Sequence, residues 1–163
     1  MATSDFPATI PQAGADAPLN KRGGVCPLCE NDDGTLVLRR SSRLRVVRVL
    51  DAQFPAFYRV VWNAHVTEFT DLLPADRQEL MANVALVEDA MRSILAGPLT
   101  PTKINLASLG NAVPHLHWHI VARYDWDTHF PQSIWSVAQR APDVRMLKVL
   151  SEKISKIDML LAG

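Results

Sequence analysis

Apolar positions along the chain change their spacing several times. Residues 1 to about 22 (MATSDFPATIPQAGADAPLN and onward) have no hydrophobic period and are rich in Ala, Pro and Asp. They predict a flexible tail, with a single folded domain over 23–163. After the turn-like Asn31-Asp32-Asp33-Gly34, the stretches TLVLR (35–39), RLRVVRVLD (43–51) and FYRVVWN (57–63) are Val- and Leu-rich and separated by polar or Pro-containing breaks, which predicts strands. The spacing then lengthens. Pro74 opens a segment in which Leu80, Val84, Val87, Met91 and Ile94 recur at three- and four-residue steps, and Gly97-Pro98 closes it, predicting a central helix. KINLASLG (103–110) and HLHWHIVARY (115–124) predict two more strands joined by Gly110–Pro114. Leu147, Leu150, Ile154, Ile157 and Leu161 mark a C-terminal helix from about Val144. Strands in a row, a helix, a strand pair and a closing helix imply an antiparallel α+β domain.

Composition narrows the function. The 163 residues carry 17 basic and 17 acidic side chains and are 48% hydrophobic. That suits one domain with a real core and argues against a nucleic-acid partner, which requires concentrated positive charge. No apolar run is long enough to span a bilayer, and the first residues lack the basic and apolar regions of a secretory signal. With only two cysteines, a cytoplasmic protein with no membrane partner is expected.

Three of the five histidines stand at alternate positions, His115, His117 and His119. In a strand these share one face, roughly 6.6 Å apart per step, while Leu116, Trp118 and Ile120 share the other. The apolar set packs the sheet against a helix. Three alternating imidazoles are hard to explain as ordinary core residues, and point either to a catalytic metal or to nucleophilic and acid/base chemistry. Bridging one ion is disfavoured, because three such residues on a straight strand span about 13 Å against metal–nitrogen distances near 2 Å. Cys26-Pro27-Leu28-Cys29 is half of a tetrahedral zinc site, whose remaining ligands come from elsewhere, His65, the triad and His129 being the histidines on offer. Its surroundings do not resemble the βαβ context of a redox CxxC.

NLASLGNAVPHLHWHIVARY resembles the histidine-triad (HIT) signature, His-φ-His-φ-His-φ-φ with φ apolar, matched without exception over His115–Val121. VVWNAHVTEFTDLLPADRQELM resembles the family's preceding strand, histidine and helix. The resemblance covers about residues 25–135 and implies a five-stranded antiparallel sheet with one central and one C-terminal helix, a homodimer, and nucleotide hydrolase or nucleotidyltransferase activity without an organic cofactor. It implies that His117 is the nucleophile, that His119 positions the phosphate or serves the leaving group, that Asn105 and Asn111 contact phosphate or leaving group, and that Asp51 holds the ribose hydroxyls. Zinc-containing branches, galactose-1-phosphate uridylyltransferase among them, use a CxxC pair, an upstream histidine and the first triad histidine. The resemblance therefore implies a structural Zn2+ on Cys26, Cys29, His65 and His115, closed by four protein ligands.

This chain also departs from the family's commonest pattern. Many relatives carry Gln where Asn111 stands and Ser or Thr where Ala112 stands. Asp125, Asp127 and His129 read as a solvated loop. Trp135 reads either as a residue closing over the nucleotide or as a core or dimer contact. There is no P-loop, and Lys103, Arg123 and the helix start near Ala75 are the candidates to offset phosphate charge. A nucleotide-binding module with little turnover is the rival reading.

Overall fold

The computed structural model describes residues 26–163, and the expected tail over 1–22 lies outside the described residues. A single helical turn, α1 (Pro27–Glu30), precedes strands β1 (Thr35–Arg40), β2 (Leu44–Val49) and β3 (Phe57–Trp62). Helix α2 (Pro74–Ile94), strands β4 (Lys103–Ala107) and β5 (His117–Arg123), and helix α3 (Val144–Ala162) follow. The strands form one antiparallel sheet in the order β1-β2-β3-β5-β4. This is the α+β, five-stranded arrangement with a central and a C-terminal helix that the sequence implied.

One face of the sheet makes the core. From β3 and β5, Tyr58, Val60, Trp62 and Ile120 are buried with Leu80, Val84, Val87 and Met91 of α2 and Leu150, Ile154, Ile157 and Leu161 of α3. Each large aliphatic side chain so buried contributes about 1.5–3 kcal/mol. Asp158 of α3 also accepts hydrogen bonds from Tyr58 Oη (3.0 Å) and Arg48 Nε (2.9 Å), fixing the helix against two strands. Both long helices lie on this face, so the opposite face, carrying Phe57, Arg59 and Val61 of β3 and His117 and His119 of β5, is left for the site.

Two expected strands are shorter than their patterns. β4 stops at Ala107, before Gly110 adopts a φ of +71° that suits glycine and turns the chain. β5 begins at His117, not His115. His115 N–H turns back to Val113 O (2.8 Å) and Leu116 N–H goes to Val66 O (2.6 Å), so His115 stands off the strand end and its ring is free to point elsewhere.

Candidate metal centre and active site

The Cys-Pro-Leu-Cys segment coils because the N–H groups of Cys29 and Glu30 both donate to Cys26 O (2.9 and 3.2 Å), with Pro27 at the first helical position. One turn places both sulfurs on the same side, where they meet His65, after β3, and His115, before β5. The four ligating atoms all lie within 4.8 Å of one another. His115 Nδ1 is 3.4 Å from both sulfurs, and His65 Nδ1 is 3.3 Å from Cys29 Sγ. Ligands around a tetrahedral zinc, with Zn–S near 2.3 Å and Zn–N near 2.0 Å, stand about 3.5 Å apart, sulfur to nitrogen. The donor set and its spacing fit such an ion.

His115 Nε2 lies 2.6 Å from Trp62 O. A carbonyl only accepts, so the proton sits on Nε2 and Nδ1 presents its lone pair to the sulfurs, as in metal-bound histidines held by a backbone carbonyl. Burial, and then the neighbouring Cys26 sulfur, push the Cys29 thiol up to about 11. A divalent cation reverses that preference by stabilising the thiolates. The turn is pinned to the sheet by Arg45, which is 3% exposed and donates to Leu28 O (2.6 Å), Asp32 Oδ1 (2.6 Å) and Asn63 Oδ1 (3.0 Å).

Beside this cluster is a cavity of about 700 Å³. The Cys-Pro-Leu-Cys turn and the residues after it form one wall through Pro27, Leu28 and Asn31–Asp33, the loop Leu109–Val113 another, and Val47, Arg59, Val61, His117 and His119 the floor, with Trp135 at the side. His117 Nδ1 lies 2.6 Å from His115 O, so by the same logic Nδ1 carries the proton and Nε2 keeps its lone pair. Burial pulls both His117 and His119 below the usual histidine range, and for His119 the neighbouring His117 and Arg59 add to it, reaching about 3. Both rings are neutral near pH 7. Their centroids are 4.5 Å apart, closer than the strand spacing alone gives, because the rings lean edge to face. The indole of Trp135 lies 4.9 Å from the His119 ring and is half exposed.

The residues singled out in the sequence divide into groups. His117, His119 and Asn111 share the cavity; Cys26, Cys29, His65 and His115 come together in the cluster whose atoms could hold a metal ion. The triad therefore serves two places, and the picture of three histidines aligned on one strand does not hold. Asn105 and Asp51 are not in the cavity wall. Asn105 Oδ1 accepts from Arg123 Nη1 (2.9 Å), and Asp51 Oδ1 accepts from the N–H groups of Gln53 (2.8 Å) and Phe54 (3.1 Å) in the turn before β3.

The expectation of a solvated loop over Asp125–His129 is overturned at Asp127, which is 4% exposed. Its carboxylate pairs with Arg123 Nε (2.8 Å) and accepts the N–H groups of Tyr124, His129 and Phe130. Arg123 is thereby committed to the fold and is not free for phosphate. Lys103, at the exposed start of edge strand β4, lies outside the cavity wall too. The residue missed by sequence reasoning is Arg59. Its signal was a lone charge on the Phe57/Arg59/Val61 side of an otherwise apolar strand, the side on which Arg59 and Val61 line the cavity.

Known proteins share the fold and the triad segment of this chain. The family model described as "HIT domain" matches residues 31–126, which takes in His65 and the triad and stops short of the two cysteines. Among solved structures, a histidine triad protein from Bradyrhizobium japonicum is 27% identical, with a TM-score of 0.63 over 79% of this chain and 92% of that one. A second, from Marinobacter aquaeolei VT8, is 25% identical, with a TM-score of 0.61 over 78% and 89%. A third, from Sinorhizobium meliloti 1021, is 22% identical over 76% and 89%, and its TM-score of 0.58 shows the shared fold. A search of curated sequences returned no match. With the family match spanning more than half of the 163 residues and taking in His115 just before β5 and His117 and His119 on it, the chain belongs to the histidine-triad (HIT) family.

Proposed function

We propose that the protein hydrolyses a nucleotide phosphoanhydride or phosphoramidate through a covalent nucleotidyl–histidine intermediate on His117. The observation that carries this reading is the 2.6 Å contact between His117 Nδ1 and His115 O, which holds a ring that lines a cavity large enough for a nucleotide. It fixes the tautomer, aims the Nε2 lone pair at the ligand space, and stabilises the positive charge that Nε2 acquires when it bonds to phosphorus. In the first step Nε2 attacks the α-phosphorus, the bond from phosphorus to the leaving oxygen or nitrogen breaks, and its electron pair leaves with that atom. In the second, water attacks phosphorus, the P–Nε2 bond breaks, a proton passes to solvent, and neutral His117 returns. His119 supplies a hydrogen bond on the leaving-group side, and Asn111 a side-chain amide from the loop wall.

Cys26, Cys29, His65 and His115 would hold Zn2+. A four-ligand zinc leaves no open position for water and supplies cross-linking, tying the N-terminal turn to the start of β5 two residues from the nucleophile. The homodimer and cytoplasmic location implied at the outset belong to the same proposal. Among the described residues no helix is long and apolar enough to cross a membrane.

The test is to incubate the protein and a His117→Asn variant with an adenylyl phosphoramidate and a diadenosine polyphosphate, following AMP release and covalent adduct by intact mass. Turnover with an adduct in the wild type, and neither in the variant, is expected. Absence of turnover and adduct with both substrates would overturn the hydrolase reading in favour of a nucleotide-binding module.

A further inference from the structure

We propose that Arg59 is the specificity-determining cation of this site, and that it selects substrates whose leaving group is itself a phosphate, favouring a phosphoanhydride over a phosphoramidate. The inference rests on the hydrolase reading above and narrows its substrate class.

Four arginines project from β2, β3 and β5 with little or partial exposure, and three of them are neutralised. Arg45 is paired with Asp32, Arg48 with Asp158 and Arg123 with Asp127. Arg59 has no carboxylate within ion-pair distance among the described residues. Its contacts are a long hydrogen bond from Nε to His119 Nδ1 (3.4 Å) and a position 5.3 Å above the Phe57 ring centroid. Neither uses the N–H groups of Nη1 and Nη2, which is the fork that matches phosphate oxygens in two-pronged fashion. The side chain lines the cavity together with both histidines. Burial works against its charge, which stays because a guanidinium holds its proton. An unpaired cation kept in a part-buried cavity costs folding free energy, and that cost is relieved when an anion enters.

Register gives the side on which the anion sits. Arg59 lies directly across the β3–β5 ladder from His119, whereas the nucleophile His117 lies across from Val61. Arg59 is thus beside the residue that faces the leaving group. The Nε donor also makes His119 Nδ1 an acceptor, so Nε2–H is the donor that His119 offers to the ligand. A neutral imidazole gives a hydrogen bond but is a poor proton source, consistent with the depression of His119 to about 3. An amine leaving a phosphoramidate must gain a proton to depart as a neutral molecule. A phosphate leaving an anhydride needs none: the P–O bond breaks, the electron pair remains on the bridging oxygen, and the new charge lies against the guanidinium.

The experiment compares wild type, Arg59→Met and Arg59→Lys on diadenosine tetraphosphate and on adenosine 5′-phosphoramidate. Arg59→Met is expected to lower kcat/KM for the tetraphosphate by roughly 10- to 100-fold while changing the phosphoramidate less than about 5-fold, with Arg59→Lys between the two. Binding of inorganic tripolyphosphate and of adenosine is measured alongside. Arg59→Met should weaken tripolyphosphate about tenfold or more and leave adenosine unchanged. Its ligand-free Tm should equal or exceed that of the wild type, since an unpaired cation has been removed. Equal losses on both substrates, unchanged tripolyphosphate binding, or a lowered Tm with both ligands weakened would each overturn the assignment. If the wild type turns over neither substrate, the hydrolase reading fails, and tripolyphosphate binding still decides whether Arg59 is the anion site.

Discussion

Replacing Asp127 with alanine tests how the segment after β5 is held beside the site. Asp127 and Arg123 have side chains 3% and 2% exposed, and the carboxylate also accepts three backbone N–H groups, from Tyr124 (3.1 Å), His129 (2.9 Å) and Phe130 (2.7 Å). Removing it leaves a buried guanidinium with Asn105 Oδ1 and Gln132 O as its remaining partners. Breaking a buried ion pair from one side costs about 3–5 kcal/mol, and the orphaned amides add to it. Against a total stability of about 5–15 kcal/mol this is a large loss. Urea unfolding followed through the four tryptophans should show it as a midpoint lowered by roughly 1.5–2.5 M, for an m-value near 2 kcal/mol/M. In the Arg123→Met/Asp127→Ala double variant the damage should be smaller, because no uncompensated charge remains. Acid gives an independent check. Burial alone would raise the Asp127 carboxyl, but the Arg123 guanidinium and the three amides overcome it and hold it below the usual carboxylate value. A depressed native pKa contributes stability that is present above the unfolded value, near 4, and lost as pH falls through the native one. Wild type should therefore lose this contribution below about pH 4, and Asp127→Ala should not. A single variant within about 0.3 M of wild type in midpoint, at about 2 kcal/mol/M, would refute the reasoning, as would a double variant as unstable as the single one.

Other outcomes follow from the same geometry. Purified protein should carry close to one zinc per chain by elemental analysis, and Cys29→Ser should lose it, with Tm falling by roughly 10 °C for a cost of about 3 kcal/mol; a metal-free wild type of unchanged Tm would contradict the site. His119 should stay neutral down to about pH 4 in ring-nitrogen NMR, since its native pKa is pulled down to about 3. The unfolded chain takes up that proton near pH 6.5, so its contribution to stability holds above 6.5 and is lost progressively as pH falls toward 3; an imidazolium signal at pH 5 would contradict this. Ile157→Ala, at a fully buried position of α3, should cost about 2–5 kcal/mol by denaturant unfolding, and a loss under 1 kcal/mol would show that the helix is not held by its core face.

Periodicity in the sequence determined the elements. Val- and Leu-rich runs between polar or Pro-containing breaks placed the first three strands, the KINLASLG and HLHWHIVARY runs the last two, and the three- and four-residue recurrence placed α2 and α3 within a residue or two, because burial leaves a pattern that can be read locally. The His-φ-His-φ-His run made the family legible for a similar reason: its residues are consecutive. What the sequence alone left undecided depends on contacts between distant segments. The departure of His115 from β5 follows from two backbone carbonyls and a cysteine turn 86 and 89 residues away. Asp127 looked like a loop carboxylate, yet the segment's fold back over β5 buries it against Arg123. Arg59 looked like one charge in a strand, and only the β3–β5 register set it beside His119, while the absence of any carboxylate nearby, among the described residues, left it unpaired. Local spacing fixes which face a side chain is on; which partner it meets there, and so whether its charge is spent or free, is decided by the packing of segments far apart in the chain.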